Sequence, residues 1–99
     1  MSEFVVSSDH PSLPGHFPGY PVVPGVVMLD YIIGIIEADR ERGVQVSGIK
    51  VVKFLQPLLP EQCCRVDLDY RNQNSVRFKC FVGEGVVASG QFVLESYAR

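Results

Sequence analysis

A proline- and glycine-rich loop that runs directly into an apolar helical segment constrains this chain more than any other feature. Residues 14–25 hold one histidine, His16, where prolines restrict φ and glycines permit tight reversals of the chain. Fourteen residues later comes Asp30, the only charged side chain between Phe17 and Ile36. An unpaired carboxylate is costly to bury. The pattern therefore suggests acid–base chemistry carried by His16 and Asp30.

Length and composition indicate one globular domain. The 99 residues leave room for a single unit, residues 1–99. Hydrophobic residues make up 46% of the chain, which excludes a disordered protein. A chain of this size buries only about two-thirds of its unfolded surface. We therefore expect a second subunit to cover part of the apolar surface.

Charge and patterning exclude several classes of protein. The net charge is −2 without a basic run, so we expect no nucleic-acid partner. Proline, glycine and Asp30 interrupt the longest apolar segment, so we expect no membrane span. The first residues lack the features of a signal peptide. Three cysteines, two of them adjacent, form neither a disulfide framework nor a metal site. These features predict a cytoplasmic protein with reduced thiols.

One helix is predicted over residues 26–42. Pro24 precedes it, where a missing N–H is tolerated, and Gly43 can follow it in the left-handed conformation. Arg40 and Arg42 would then lie in its last turn, near the negative end of the helix dipole. Because its first three turns are apolar on every side, we expect this part of the helix to be buried all round.

The rest of the chain reads as antiparallel strands. Alternation of apolar and polar residues, bounded by turn residues, predicts five strands, over residues 3–7, 46–55, 63–71, 76–82 and 86–95. Residues 72–75 and 83–85 are predicted turns. This order of elements indicates an α+β fold in which about five antiparallel strands wrap around one long helix.

The loop carries a recognisable motif. Gly15-His16-Phe17-Pro18-Gly19, followed by Pro-Val-Val-Pro-Gly-Val over residues 21–26, resembles the active-site segment of the hotdog-fold 3-hydroxyacyl-[acyl-carrier-protein] dehydratases. Residues 48–60 and 83–94 resemble the same family more weakly. Residues 9–11 and 26–30 are similar to its small branch associated with polyene pigment synthesis.

The resemblance implies a role for each site residue. His16 would be the catalytic base, Asp30 the catalytic acid, and the backbone N–H of Gly25 the donor to the thioester carbonyl. The neighbours that would help to bind substrate are Phe17, Pro24 and Val26. The implied reaction removes water from a 3-hydroxyacyl thioester to give a trans-2-enoyl thioester, with no metal or organic cofactor.

The resemblance also implies partners. In the family, the histidine and the carboxylate of one site come from opposite subunits of a dimer, and an acyl carrier protein delivers the substrate on phosphopantetheine. We therefore expect a homodimer or higher oligomer, or a heterodimer with a related chain. The basic side chains of the strands either face solvent or dock the carrier, namely Lys50, Lys53, Arg65, Arg71, Arg77 and Lys79.

Other interpretations remain open at this stage. Gly34 stands where the family usually carries a glutamine one turn after the acid, which favours a partly inactive partner subunit of a heterodimer. A hotdog acyl thioesterase is the enzymatic alternative. His16 could instead be a loop histidine satisfied by the backbone, and Asp30 a structural polar group. His10 lacks a comparable context.

Overall fold

The computed structural model of the protein describes residues 2–11 and 22–96. Its elements, in chain order, are β1 (Ser2–Val5), α1 (Gly25–Ala38), β2 (Val44–Phe54), β3 (Cys63–Asn72), β4 (Ser75–Val82) and β5 (Gly85–Ser96). The strands form one antiparallel sheet in the order β1-β3-β4-β5-β2. The α+β prediction of one helix on five antiparallel strands is confirmed. No helix within the described ranges is long and apolar enough to cross a membrane.

The core lies between α1 and one face of the sheet. The helix buries Met28, Ile32 and Ile36, which are spaced four residues apart and therefore share one face. Opposite them, the rings of Phe78 on β4 and Phe92 on β5 stack with their centroids 4.9 Å apart. This apolar layer fixes α1 against the sheet.

The prediction that α1 is buried on every side is wrong for the single subunit. Val26, Asp30 and Gly34, one turn apart along one side of the helix, are exposed, and Val26 retains 66% of its accessible surface. The physical reason is that a sheet covers one face of a helix and leaves the opposite face open. An apolar side chain such as Val26 on that open face indicates a surface that another molecule can cover.

The helix also ends earlier than predicted, at Ala38 instead of Arg42. The carboxylate of Asp39 accepts hydrogen bonds from the backbone N–H groups of Glu41 and Arg42, at 3.2 and 3.4 Å. These local hydrogen bonds take the place of the next helical turn. Gly43 completes the turn with φ of 60°. Arg42 consequently lies over the ring of Tyr70, 3.5 Å from its centroid, and not in the last turn of the helix.

The predicted strands are confirmed to within two residues at each end. Gly83 opens the β4–β5 hairpin at φ of 58°.

Further along β5, Gly90 lies where the sheet leaves no room for a side chain. A Cβ atom there would overlap the carbonyl oxygen of Val51 and lie 2.8 Å from the ring of Phe78. The inner face of the sheet is thus closely packed behind β2.

Candidate active site

The first turn of α1 presents backbone donors that the helix cannot use. Pro24 precedes the helix in an extended conformation, and its carbonyl oxygen accepts hydrogen bonds from the N–H groups of Val27 and Met28, at 3.0 and 3.3 Å. No side chain of the described residues caps this end, and no acidic residue lies in the first turn. Within the described residues, the N–H of Gly25 donates to no acceptor. The positive end of the helix dipole is therefore available at Gly25.

An apolar cavity of about 450 Å³ lies beside Gly25 and Pro24. The loop before α1 and the segment after β2 form its walls, and the N–H of Val23 ties them together by donating to the carbonyl oxygen of Leu58 at 2.8 Å. Its apolar lining includes Val22, Val23, Met28, Leu55, Pro57 and Leu58. The helix terminus thus opens onto a space suited to an apolar chain with a polar group at one end.

The ring of Phe54, the last residue of β2, projects onto Gly25. A Cβ atom on Gly25 would lie 2.6 Å from Cζ of Phe54 and 3.0 Å from both Cε atoms, so the tip of the ring points at the Gly25 Cα. Phe54 also lines the cavity, and half of its surface is exposed (50%). A side chain at the start of α1 would therefore displace this ring.

Replacing Gly25 by alanine is expected to destabilise the fold by about 1–3 kcal/mol, because the added methyl group overlaps the Phe54 ring. Gly34 provides the matched control, since a Cβ atom there meets no atom within 4 Å. Gly34→Ala should instead stabilise by about 0.5–1 kcal/mol, the usual gain in a helix interior. Urea unfolding of both variants measures the difference. Equal stabilisation by the two changes would show that Phe54 moves aside freely.

Asp30 lies on the same helix as Gly25, five residues and therefore about 7.5 Å further along the axis. The sequence predicted a buried carboxylate, but in the single subunit this side chain is exposed. Its carboxylate forms no hydrogen bond or ion pair with any residue in the described ranges. Asp30 is therefore not a structural polar group of the described part of this subunit.

The structure unites only some of the predicted site residues. His16 and Phe17 lie outside the described residues, so their predicted roles stay predictions. Pro24 and Gly25 meet at the cavity, whereas Val26 is largely exposed and does not line it. Sequence reasoning missed Phe54 as a site residue, because nothing in the local pattern of β2 shows that its last side chain reaches the start of α1.

The thiols of Cys63 and Cys80 are unsuited to nucleophilic chemistry. Cys63 donates a hydrogen bond to the carboxylate of Glu3 at 3.3 Å, and this bond raises the pKa of the Cys63 thiol. A hydrogen bond with Cys64 and burial raise the pKa of the Cys80 thiol. Only thiolates are effective nucleophiles. The hydrogen bond with Cys80 lowers the pKa of the Cys64 thiol, but that thiol is buried. Among residues 2–11 and 22–96, no three metal-ligating side chains come together.

Comparison with known proteins places these features in a family. The family model described as ApeI-like, ApeI dehydratase, matches residues 1–91. The 3-hydroxyacyl-[acyl-carrier-protein] dehydratase FabZ of Chlamydia trachomatis serovar L2 is 35% identical over 104 aligned residues, covering 90% of this chain and 68% of the relative.

Solved structures share the fold. The dehydratase heterocomplex ApeI:P from Xenorhabdus doucetiae matches with a TM-score of 0.79 and 22% identity, over 93% of this chain and 82% of the other. The fluoroacetyl-CoA thioesterase FlK matches with a TM-score of 0.60 and 18% identity, over 94% and 80% of the two chains. Hotdog proteins of different activity thus share this architecture. The match over residues 1–91 and the identity to FabZ decide the family: the chain belongs to the hotdog-fold FabZ-like dehydratases and, within them, to the ApeI-like branch.

Proposed function

We propose that this protein dehydrates 3-hydroxyacyl thioesters of an acyl carrier protein to trans-2-enoyl thioesters, in fatty acid or polyene-type lipid synthesis. The observation that carries the proposal is the available N–H of Gly25 at the edge of an apolar cavity, with the exposed carboxylate of Asp30 on the same helix. Membership of the dehydratase family supports this use of the site.

The proposed reaction assigns one task to each group. The imidazole of His16 takes the proton from C2 of the acyl chain, which a neutral histidine can do near neutral pH. The Gly25 N–H stabilises the negative charge that develops on the thioester oxygen. The carboxyl group of Asp30 gives its proton to the C3 hydroxyl, which leaves as water while the C2–C3 double bond forms. The proton held by His16 then returns to Asp30 through solvent.

An exposed apolar surface on β2 supports assembly into a dimer. Ile49 and Phe54 pair across the sheet with the buried residues Phe92 and Ala88, so their side chains face the helix side, yet they are 54% and 50% exposed. They lie on β2, an edge strand of eleven residues. Long apolar edges of this kind promote pairing with another chain. A second copy paired along β2 would cover this surface. It would also complete a site in which, as the family resemblance implies, His16 and Asp30 come from opposite subunits.

A dimer at micromolar concentration is therefore expected in analytical ultracentrifugation. Ile49→Lys should dissociate it, because the charge would be buried in the new interface. Val5→Lys is the matched control, since Val5 is 45% exposed on β1, at the opposite edge of the sheet. A stable, folded monomer of the unaltered chain would contradict the dimer. Equal dissociation by the two variants would contradict pairing along β2.

The outer face of the sheet offers basic groups for carrier docking. Lys53 and Lys79 both pair with Ser89 across the strands, and Arg77 lies two residues before Lys79 on β4. None of the three forms an ion pair with a described residue. They line a shallow groove of about 630 Å³ that also contains Asp67 and Asp69. Lys79 and Arg77 pair in register with Asp67 and Asp69 on β3, so the groove carries a small excess of positive charge. This excess supports the docking of an acidic carrier protein on this face.

Turnover by the purified chain tests the proposed function. The chain is mixed with 3-hydroxyacyl carrier protein, and the conjugated enoyl thioester is followed by its absorbance and by mass spectrometry. Formation of enoyl product by this chain alone is the expected result. Release of free carrier thiol would identify a thioesterase instead. Activity only after addition of a related dehydratase subunit would identify a heterodimer, the assembly type named for the Xenorhabdus structure.

A further inference from the structure

The backbone of Phe54 is held firmly at the end of β2, next to the point where its ring meets Gly25. The two residues after it, Leu55 and Gln56, both donate their backbone N–H groups to the carbonyl oxygen of Val87, at 2.8 and 3.3 Å. Phe54 itself pairs with Ala88 on β5. The end of β2 therefore cannot move away from the sheet without breaking these hydrogen bonds.

We propose that Phe54 is a specificity-determining residue, which restricts the site to acyl thioesters without a branch at C2, the carbon next to the thioester carbonyl. The inference rests on the proposed function, because it takes the Gly25 N–H as the donor to the carbonyl oxygen. The proposal goes further by naming the class of acyl chain that the site accepts, which the hydrogen bond to the carbonyl oxygen does not define.

The geometry near Gly25 leads to this restriction. A carbonyl oxygen that accepts from the Gly25 N–H lies about 2.9 Å from that nitrogen, and its carbon is about 1.2 Å further on. The nitrogen is bonded to the Cα at which the Phe54 ring points, and the ring tip lies 2.6 Å from the Cβ position. In the proposed binding mode, the C2 side of that carbonyl carbon faces the ring. A hydrogen at C2 fits beside it, whereas a methyl group overlaps it.

The exposure of Phe54 distinguishes it from the phenylalanines that only fill the core. Phe78 and Phe92 are 2% and 0% exposed, whereas Phe54 keeps half of its surface open at the edge of the cavity. The part of the ring that lines the cavity is the part that a bound acyl group can contact. The rest of its exposed surface lies on the β2 face that a second subunit would cover.

A competition between two substrates tests the proposal. The kcat/KM is measured for a 3-hydroxyacyl pantetheine thioester and for its 2-methyl analogue, with the unaltered protein and with Phe54→Ala and Phe54→Leu. The unaltered protein should prefer the unbranched substrate by about 10- to 200-fold, the range for one added carbon in a tight site. Phe54→Ala should lower that ratio at least tenfold, with Phe54→Leu in between. Because each ratio is measured on one preparation, partial unfolding or dissociation cancels.

Val51→Ala is the control, since Val51 is also exposed on β2 but pairs with Gln91 on the outer face and does not line the cavity beside Gly25. It should leave the preference unchanged. An unaltered protein that accepts both substrates equally would overturn the inference, as would a Phe54→Ala variant that loses both activities in the same proportion. In either case the proposed function would stand. An unaltered chain that dehydrates neither substrate, alone or with a related subunit, would overturn the proposed function and this inference with it.

Discussion

Replacing His16 by alanine is expected to lower the rate of dehydration by about 10²–10⁴-fold, the usual contribution of a positioned general base. The fold should survive the change, because prolines and glycines on both sides of His16 determine the path of the loop without help from the imidazole. Single-turnover kinetics with a 3-hydroxyacyl carrier substrate measures the rate, and circular dichroism checks the fold.

His10 provides the control for this substitution, because it is the other histidine of the chain and lies outside the loop motif. Its backbone N–H donates to the carbonyl oxygen of Ser7 at 3.0 Å, a bond that an alanine keeps. His10→Ala should therefore retain the rate. Near-normal turnover by a folded His16→Ala variant would assign the base to another residue and remove the main support for the proposed mechanism.

Replacing Asp30 by asparagine is expected to lower turnover by about 10²–10⁴-fold, because the amide cannot donate the proton that the leaving hydroxyl needs. Stability should change by no more than about 0.5 kcal/mol. The reason is that the carboxylate is exposed in the subunit and bonds to no residue within the described ranges. Turnover and urea unfolding on the same preparation measure both quantities.

Glu37 is the matched control on the same helix. Its carboxylate accepts a hydrogen bond from the backbone N–H of Val46 at 2.9 Å, a structural partner of a kind that Asp30 does not have among the described residues. Glu37→Gln, which keeps an acceptor oxygen, should retain turnover. A loss of about 1–3 kcal/mol in Asp30→Asn, with full activity per folded molecule, would instead identify Asp30 as a structural carboxylate.

The two ends of α1 differ in how well the sequence predicted them. The start was predicted to within one residue, because Pro24 has no N–H to give to a preceding turn and its φ suits the entry to a helix. The end was predicted four residues too late. There, the apolar and charged pattern continued past Ala38, but the side chain of Asp39 bonded to the backbone that follows and stopped the helix.

The exposure of Asp30 could not be predicted from the sequence. The segment around it is apolar on every side, so its periodicity does not show which face the sheet covers. The hydrophobic residues of this segment indicated a buried helix. A helix of this chain can be buried on every face only if a second subunit covers the face that the sheet leaves open. The single chain supplies one sheet, which covers Met28, Ile32 and Ile36 and leaves Asp30 open.

The sequence was enough to predict the number and type of the elements, the α+β class and the dehydratase motif around His16, Gly25 and Asp30. These depend on local properties, namely side-chain periodicity, the backbone restrictions of proline and glycine, and a short run of residues. The packing of the elements, in contrast, brings Phe54 against Gly25 and leaves one face of α1 open. Phe54 and Gly25 lie far apart in the chain and meet because the sheet brings the end of β2 to the start of α1. A contact of this kind arises from the packing of elements, which no local pattern contains.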